Sequence, residues 1–241
     1  MMEKTILTFD HVTGQKRRIS LQNYALRNFV LKDIHFALKA GYIYGLVGEN
    51  GAGKTTLMNY ILKENIPYEG QIYIEGTNIR EKHAQIRNKI GFVSEENHFF
   101  EDCTGRQNAE ILGAFYEHFD RKTFFEVMAS MNVSAGKVYK SMSRGERLKF
   151  QLAFAIAHNP SLYLLDEVTA GMDPVFRIDF FHMLQKIIVD ECACILMTSH
   201  ISSEIETKTD YVGVMENGCL VTFGESLDVI QNLKKGRGRS I

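Results

Sequence analysis

Apolar and polar residues alternate along Thr5-Ile6-Leu7-Thr8-Phe9, Asp33-Ile34-His35-Phe36-Ala37-Leu38 and Gln71-Ile72-Tyr73-Ile74-Glu75-Gly76. Alternation of this kind marks strands with one buried and one solvated face, so the three predict an antiparallel sheet. A second kind of stretch is apolar almost throughout: Tyr42-Ile43-Tyr44-Gly45-Leu46-Val47, Ile90-Gly91-Phe92-Val93, Leu162-Tyr163-Leu164-Leu165 and Cys194-Ile195-Leu196-Met197-Thr198. Such runs are strands buried on both faces, and the helical patterns between them are what a mostly parallel sheet requires. Between Glu95 and Ser141 the pattern becomes helix after helix, strongest over residues 109–116 and 122–128. This reads as a helical insertion whose aromatic stripes belong to its core, with one face available to a partner helix.

The first buried run leads into Gly48-Glu49-Asn50-Gly51-Ala52-Gly53-Lys54-Thr55, and then into Thr56-Leu57-Met58-Asn59-Tyr60-Ile61-Leu62, which reads as a helix with one apolar face. Glycines between a strand and a helix let backbone N–H groups turn onto phosphate oxygens, and the helix N-terminus adds a favourable dipole. A glycine-rich turn without a ligand is the plainer reading, but lysine and threonine directly after it favour a triphosphate cradle. The expected nucleotide contacts are Gly48, Asn50, Gly51, Ala52, Gly53, Lys54, Thr55 and Thr56, with Lys54 on the β- and γ-phosphates and the Thr55 hydroxyl on Mg²⁺.

Two further stretches carry chemistry. Leu162-Tyr163-Leu164-Leu165 ends in Asp166-Glu167; adjacent strand residues point apart, so one acid can face Mg²⁺ and the other a water. Upstream, Ser141-Met142-Ser143-Arg144-Gly145-Glu146 opens a helix that runs through Ala157. Serine and glycine at a helix start favour an anion, although a simple N-cap is the bland alternative.

The order of these motifs resembles the ATP-binding cassette family over nearly the whole chain, most closely in look the ATPases of bacterial drug, antibiotic and peptide exporters. The resemblance implies an α/β fold: a P-loop, RecA-like core with a mostly parallel sheet, an antiparallel β subdomain and an inserted helical subdomain. It divides one domain of 241 residues into 1–95 and 153–241 for the α/β core and β subdomain, and 96–152 for the helical part. By that match Ser143, Arg144, Gly145 and Glu146 contact the nucleotide of a partner cassette, and Gly171-Met172-Asp173 links two active sites. His200 touches the γ-phosphate, and Glu95 stands where the family usually has glutamine. Tyr24, with Phe29 as second choice, stacks on adenine. Glu167 is then the residue that orients and deprotonates water, with Lys54 and His200 stabilising the transferred phosphoryl. Thr55, Glu95 and Asp166 are the expected Mg²⁺ ligands. The cofactors implied are ATP and Mg²⁺. The partners are a second cassette, identical or paralogous, and a permease on a separate chain, which places the protein at the inner face of the cell membrane. Arg144 replaces the usual first glycine of the signature, Glu146 its glutamine, and Val168 the usual proline.

Bulk properties narrow the alternatives. A length of 241 residues accommodates one large α/β domain with an inserted subdomain, leaving no room for a second cassette. A formal net charge of −1 lacks the basic excess of a phosphate-backbone partner, which disfavours a cassette ATPase acting on nucleic acid or ribosomes. A weakly hydrolysing regulatory subunit stays open because of Arg144 and Glu95. The start shows no apolar signal core and no run suits a membrane span. Four cysteines lack paired metal-ligand spacings; Cys192 and Cys194 are expected on one face of one strand, and a reduced compartment suits them. The basic residues 234–239 read as a frayed tail.

Overall fold

The computed structural model describes residues 4–14, 30–96, 98–170, 172–190, 192–199, 205 and 207–237. The first half of the chain forms β1 (Thr5–Gly14), β2 (Ile34–Lys39), β3 (Ile43–Val47), α1 (Lys54–Leu62), β4 (Tyr68–Ile74), β5 (Thr77–Asn78), α2 (His83–Arg87), β6 (Ile90–Ser94), α3 (Gly105–Gly113) and α4 (Arg121–Ser130). A 3-10 turn (Tyr139–Ser141) then precedes α5 (Arg144–Ala157), β7 (Leu162–Asp166), α6 (Pro174–Asp190), β8 (Cys194–Thr198), β9 (Tyr211–Glu216), β10 (Cys219–Glu225) and α7 (Ser226–Arg237).

The apolar runs assemble into a six-stranded sheet in the order β10-β9-β3-β8-β7-β6, parallel except for the β9–β10 hairpin. Every residue of β8 is buried, as a strand covered on both faces requires. Register aligns the strand ends. Leu46 lies opposite Thr198, Thr198 opposite Asp166, and Asp166 opposite Ser94. One row at the carboxyl edge of the sheet therefore carries the last residues of three strands, where open α/β sheets place their ligands.

The alternating stretches form a separate antiparallel sheet in the order β2-β1-β4-β5. In β2 the alternation is strict: Ile34, Phe36 and Leu38 are buried, and His35, Ala37 and Lys39 are exposed. β1 continues five residues past Phe9 to Gly14, because bulges between Phe9 and Val12 on one side and Asp10 and Thr13 on the other absorb the break in alternation. The inner face of this sheet packs with Leu57, Met58 and Ile61 of α1 and with Tyr44 and Leu46 of β3. The other face of the parallel sheet supports the helices, where Phe124, Tyr139, Phe150 and Phe180 are fully buried. Phe150 takes the rings of Phe99 and Phe124 edge-on at 4.7 and 5.6 Å, an arrangement aromatic quadrupoles favour.

Three local expectations are corrected. The helix expected over 109–116 is α3, Gly105–Gly113, started by a Thr104–Gln107 capping box. It stops where the Phe119 ring fills the space of a Cβ on Gly113, so Phe115 and Tyr116 lie beyond it in turns. Cys192 and Cys194 do not share a strand face: Cys192 is exposed with φ of 50°, whereas Cys194 opens β8 fully buried, with its thiol pKa pushed up by burial. The basic tail is helical to Arg237 within α7. Among the described residues, no helix is long and apolar enough to cross a membrane.

Candidate active site

β3 delivers the chain to the glycine loop at the centre of the parallel sheet, between β8 and β9. Gly48 is required by close approach, since a Cβ there would stand 2.4 Å from the Met215 carbonyl oxygen. Gly53 caps α1 with φ of 115°, a conformation L side chains rarely adopt. The loop closes through Ala52 N–H to the Glu49 carbonyl and Gly218 N–H to the Ala52 carbonyl, both at 3.0 Å. Thr55 is exposed and Thr56 half-buried at the first turn of α1.

Lys54 is 5% exposed, and its ammonium donates to the carbonyls of Gly48 at 2.7 Å and Glu49 at 3.3 Å. It also lies 3.6 Å from Glu167 Oε1. The two sequence-predicted catalytic groups are thus brought together by the adjacency of β3, β8 and β7, although 113 positions separate them in the chain. Glu167 adopts φ of 52°, an uncommon conformation for a residue with a Cβ, which turns it out of the line of β7.

Thr198 holds this arrangement and is a residue that sequence reasoning missed. Its hydroxyl donates to Asp166 Oδ1 at 2.6 Å and accepts the Glu167 N–H at 2.9 Å. One buried oxygen orients both acids. The only signal in the sequence was a polar end to an apolar strand, which strand ends commonly have.

Ser143 caps α5: its hydroxyl accepts the Glu146 N–H at 3.2 Å, while the Glu146 carboxylate accepts the Ser143 N–H at 2.7 Å. Lys137 donates to both Glu146 oxygens, at 2.8 and 3.0 Å, and holds that carboxyl below the usual glutamate range. Glu146 is therefore engaged within its own helix start, whereas Ser143 and Arg144 are exposed and Gly145 is half-buried.

Arg144 pairs with Glu95 and also donates to the Ala170 carbonyl. Two departures from the family pattern thus meet in one ion pair, between the start of α5 and the loop after β6. A second tie runs alongside: Gln151 of α5, 3% exposed, accepts the Ser94 N–H at 3.0 Å and donates to the Tyr139 hydroxyl at 3.3 Å. Gln151 was not legible as a site residue, because only packing of α5 on β6 brings it there.

Asp173 accepts the Val175 N–H at 2.9 Å and so caps α6, while Arg177 donates to the carbonyls of Thr169 and Met172 at 3.2 and 3.1 Å. These bonds fix the segment just after Glu167. Tyr24, Phe29, Gly171 and His200 lie outside the described residues.

A glycine cradle, a buried lysine and paired acids at the carboxyl edge of a parallel sheet, tied to a serine-capped helix, define an ATPase domain of the P-loop type. The family model described as ABC transporter matches residues 31–170, and the chain belongs to that family. It is 33% identical over 193 residues to the ABC transporter ATP-binding protein YtrB of Bacillus subtilis (strain 168), covering 80% of this chain and 66% of that protein. It is 32% identical over 210 residues to the bacitracin transport ATP-binding protein BcrA of Enterococcus faecalis, covering 86% of this chain and 67% of that protein. The chain thus spans about two thirds of the length of these curated relatives. The fold also matches a dimeric, post-hydrolysis structure of the ATP-binding cassette MJ0796 bound to ADP and Pi, with a TM-score of 0.78 at 20% identity, covering 92% of this chain and 99% of that one.

Proposed function

We propose that this chain binds and hydrolyses ATP to drive a separate membrane permease, in the direction of export, by closing on a second cassette. The observation that carries this reading is the 3.6 Å approach of Lys54 to Glu167 beside the glycine cradle. A triphosphate in the cradle competes with the Gly48 and Glu49 carbonyls for the Lys54 ammonium, which then draws charge from the β- and γ-phosphates. Backbone N–H groups of Asn50, Gly51, Ala52, Gly53, Thr55 and Thr56 complete the cradle. Glu167, one-third exposed, is placed to accept a proton from water. The donor set at the strand end suits a hard cation: Asp166 keeps Oδ2 beyond its bond to Thr198, and Thr55 offers a solvent-facing hydroxyl. Mg²⁺ held there would neutralise charge on the phosphates, and Glu95 joins it only by leaving Arg144.

A single chain encloses the γ-phosphate from one side, so the exposed Ser143 and Arg144 and the half-buried Gly145 are assigned to the nucleotide of a partner cassette, with Asp173 and Gly171 between the two sites. His200 and Tyr24 are assigned to the γ-phosphate and adenine. Residues 96–152 form the helical unit and 1–95 with 153–241 the α/β core and β subdomain, at the cytoplasmic face of the membrane. Export rests on the likeness to the Nod factor export ATP-binding protein I of Neorhizobium galegae, 29% identical over 209 residues.

The permease is assigned to a groove of about 540 Å³ between α1, β6 and the helices, lined by Ile61, Phe92, His98, Phe115 and Tyr116 among others. Phe115 is 78% exposed there, an unusual position for so large an apolar ring. Phe115→Glu is expected to release the chain from its membrane partner in co-purification while leaving the thermal midpoint of the isolated chain unchanged. A chain that stays soluble and alone when expressed with its genomic neighbours overturns the permease assignment.

A second reading, a slowly hydrolysing regulatory subunit, is favoured by the engagement of Arg144 within its own chain. Both members of the pair are about half exposed, so each contributes at most about 1 kcal/mol, or fivefold. Arg144→Ala and Glu95→Gln are each expected to change turnover within that range, and the double variant to match the single ones. Multiplicative effects would show that the two side chains act independently. ATP turnover of the unaltered chain, alone and with the permease, separates the two readings.

A further inference from the structure

The antiparallel sheet carries a second group of metal-ligating side chains, distinct from the nucleotide site. Regular alternation sends neighbouring strand residues to opposite faces, so Asp10 and His11 of β1 could not both stand beside His35 of β2. The bulge at residues 10–12 changes this. It gives His11 a φ of 49° and brings its ring onto that of His35, stacked with centroids 4.6 Å apart. Asp10 Oδ1 lies 3.3 Å from His35 Nδ1, and Asp33 Oδ1 lies 2.7 Å from His11 Nδ1. Asp10, His11 and His35 each offer one ligand atom within 4.8 Å of the others.

We propose that Asp10, His11 and His35 form a surface site for a divalent transition-metal ion of the zinc class, with Asp33 orienting His11 from the outer shell. Two imidazoles and a carboxylate are ligands for zinc, nickel or copper, whereas magnesium and calcium take oxygen. Bonds of about 2 Å around a tetrahedral ion require ligand atoms about 3.3 Å apart, a contraction within reach of side-chain rotation at half-exposed positions. The fourth position is left to water. A carboxylate accepting from the other ring nitrogen is the usual outer shell of a ligating histidine, and Asp33, bonded to His11 Nδ1, takes that role when Nε2 of His11 holds the ion. Once bound, the ion clasps β1 to β2 on either side of residues 15–29.

The full chain, stripped of metal and nucleotide and held in excess Mg²⁺, is titrated with Zn²⁺ by calorimetry and with Co²⁺ by visible absorption. One equivalent of Zn²⁺ is expected, with a Co²⁺ spectrum free of thiolate charge transfer. His11→Ala and His35→Ala should each weaken binding by at least about tenfold, as should Asp33→Asn through the outer shell. These side chains are exposed, so the variants should melt with the unaltered chain in chelator, and only the latter should gain a few degrees on adding Zn²⁺. Cys192→Ser, which removes the exposed thiol, should bind as before. Absence of Zn²⁺ binding below about 100 μM, retention of it in His35→Ala, or its loss in Cys192→Ser overturns the proposal.

Discussion

Glu167→Gln is expected to lower ATP turnover by about 10²–10⁴-fold, or roughly 3–5 kcal/mol in the barrier, while ATP binding is retained. The amide keeps the size of the side chain and the Glu167 N–H bond to Thr198, so the geometry of the strand end survives. What is lost is the ability to take a proton from the attacking water. The charge at 3.6 Å from Lys54 is lost as well, which leaves the ammonium with its two carbonyl partners and releases it for phosphate. ATP should therefore bind at least as tightly as before, and a closed two-cassette species should accumulate on gel filtration with Mg²⁺ and ATP. Near-normal turnover would remove Glu167 from the role of base. Loss of ATP binding would place it in the cradle.

Lys54→Ala acts on the other side of the same pair. Removing a charge-assisted donor to phosphate costs about 1.5–3 kcal/mol of binding, or roughly 10–150-fold in nucleotide affinity, and turnover should fall further because charge on the phosphoryl grows in the transition state. The side chain is almost fully buried, so its removal also strands the Gly48 and Glu49 carbonyls. A thermal melt without nucleotide separates this local effect from the loss of a ligand contact. Unchanged ATP affinity would mean that the triphosphate is not held at this loop.

Much of the fold was legible in the sequence. Continuous apolar runs gave buried parallel strands and alternating runs an antiparallel sheet, because the number of covered faces is written into the period of the side chains. β1 escaped that logic past Phe9, since a bulge needs no special residue and breaks the period. The end of α3 escaped as well: nothing local shows that Phe119 packs over Gly113. The Cys192–Cys194 reading failed for a similar reason, a left-handed residue just before the strand.

The site divides along the same line. Gly48 to Thr55 was readable because a cradle is contiguous: backbone conformation, helix start and lysine lie within eight residues of chain. Asp166 and Glu167 could be named from their place at a strand end, and Ser143 from its place at a helix start. Sequence alone thus determined the class of fold and the place of the glycine loop at the start of α1, since both depend on local backbone preference and hydrophobic period. Tertiary structure decided which groups meet: Thr198 under both acids through β7–β8 register, Gln151 on the Ser94 N–H through helix packing, Arg144 on Glu95, and the two stacked histidines across a bulge. Each of those contacts joins residues far apart in the chain, and their distance is set by strand register and by the packing of helices on the sheet, which no single stretch of residues encodes.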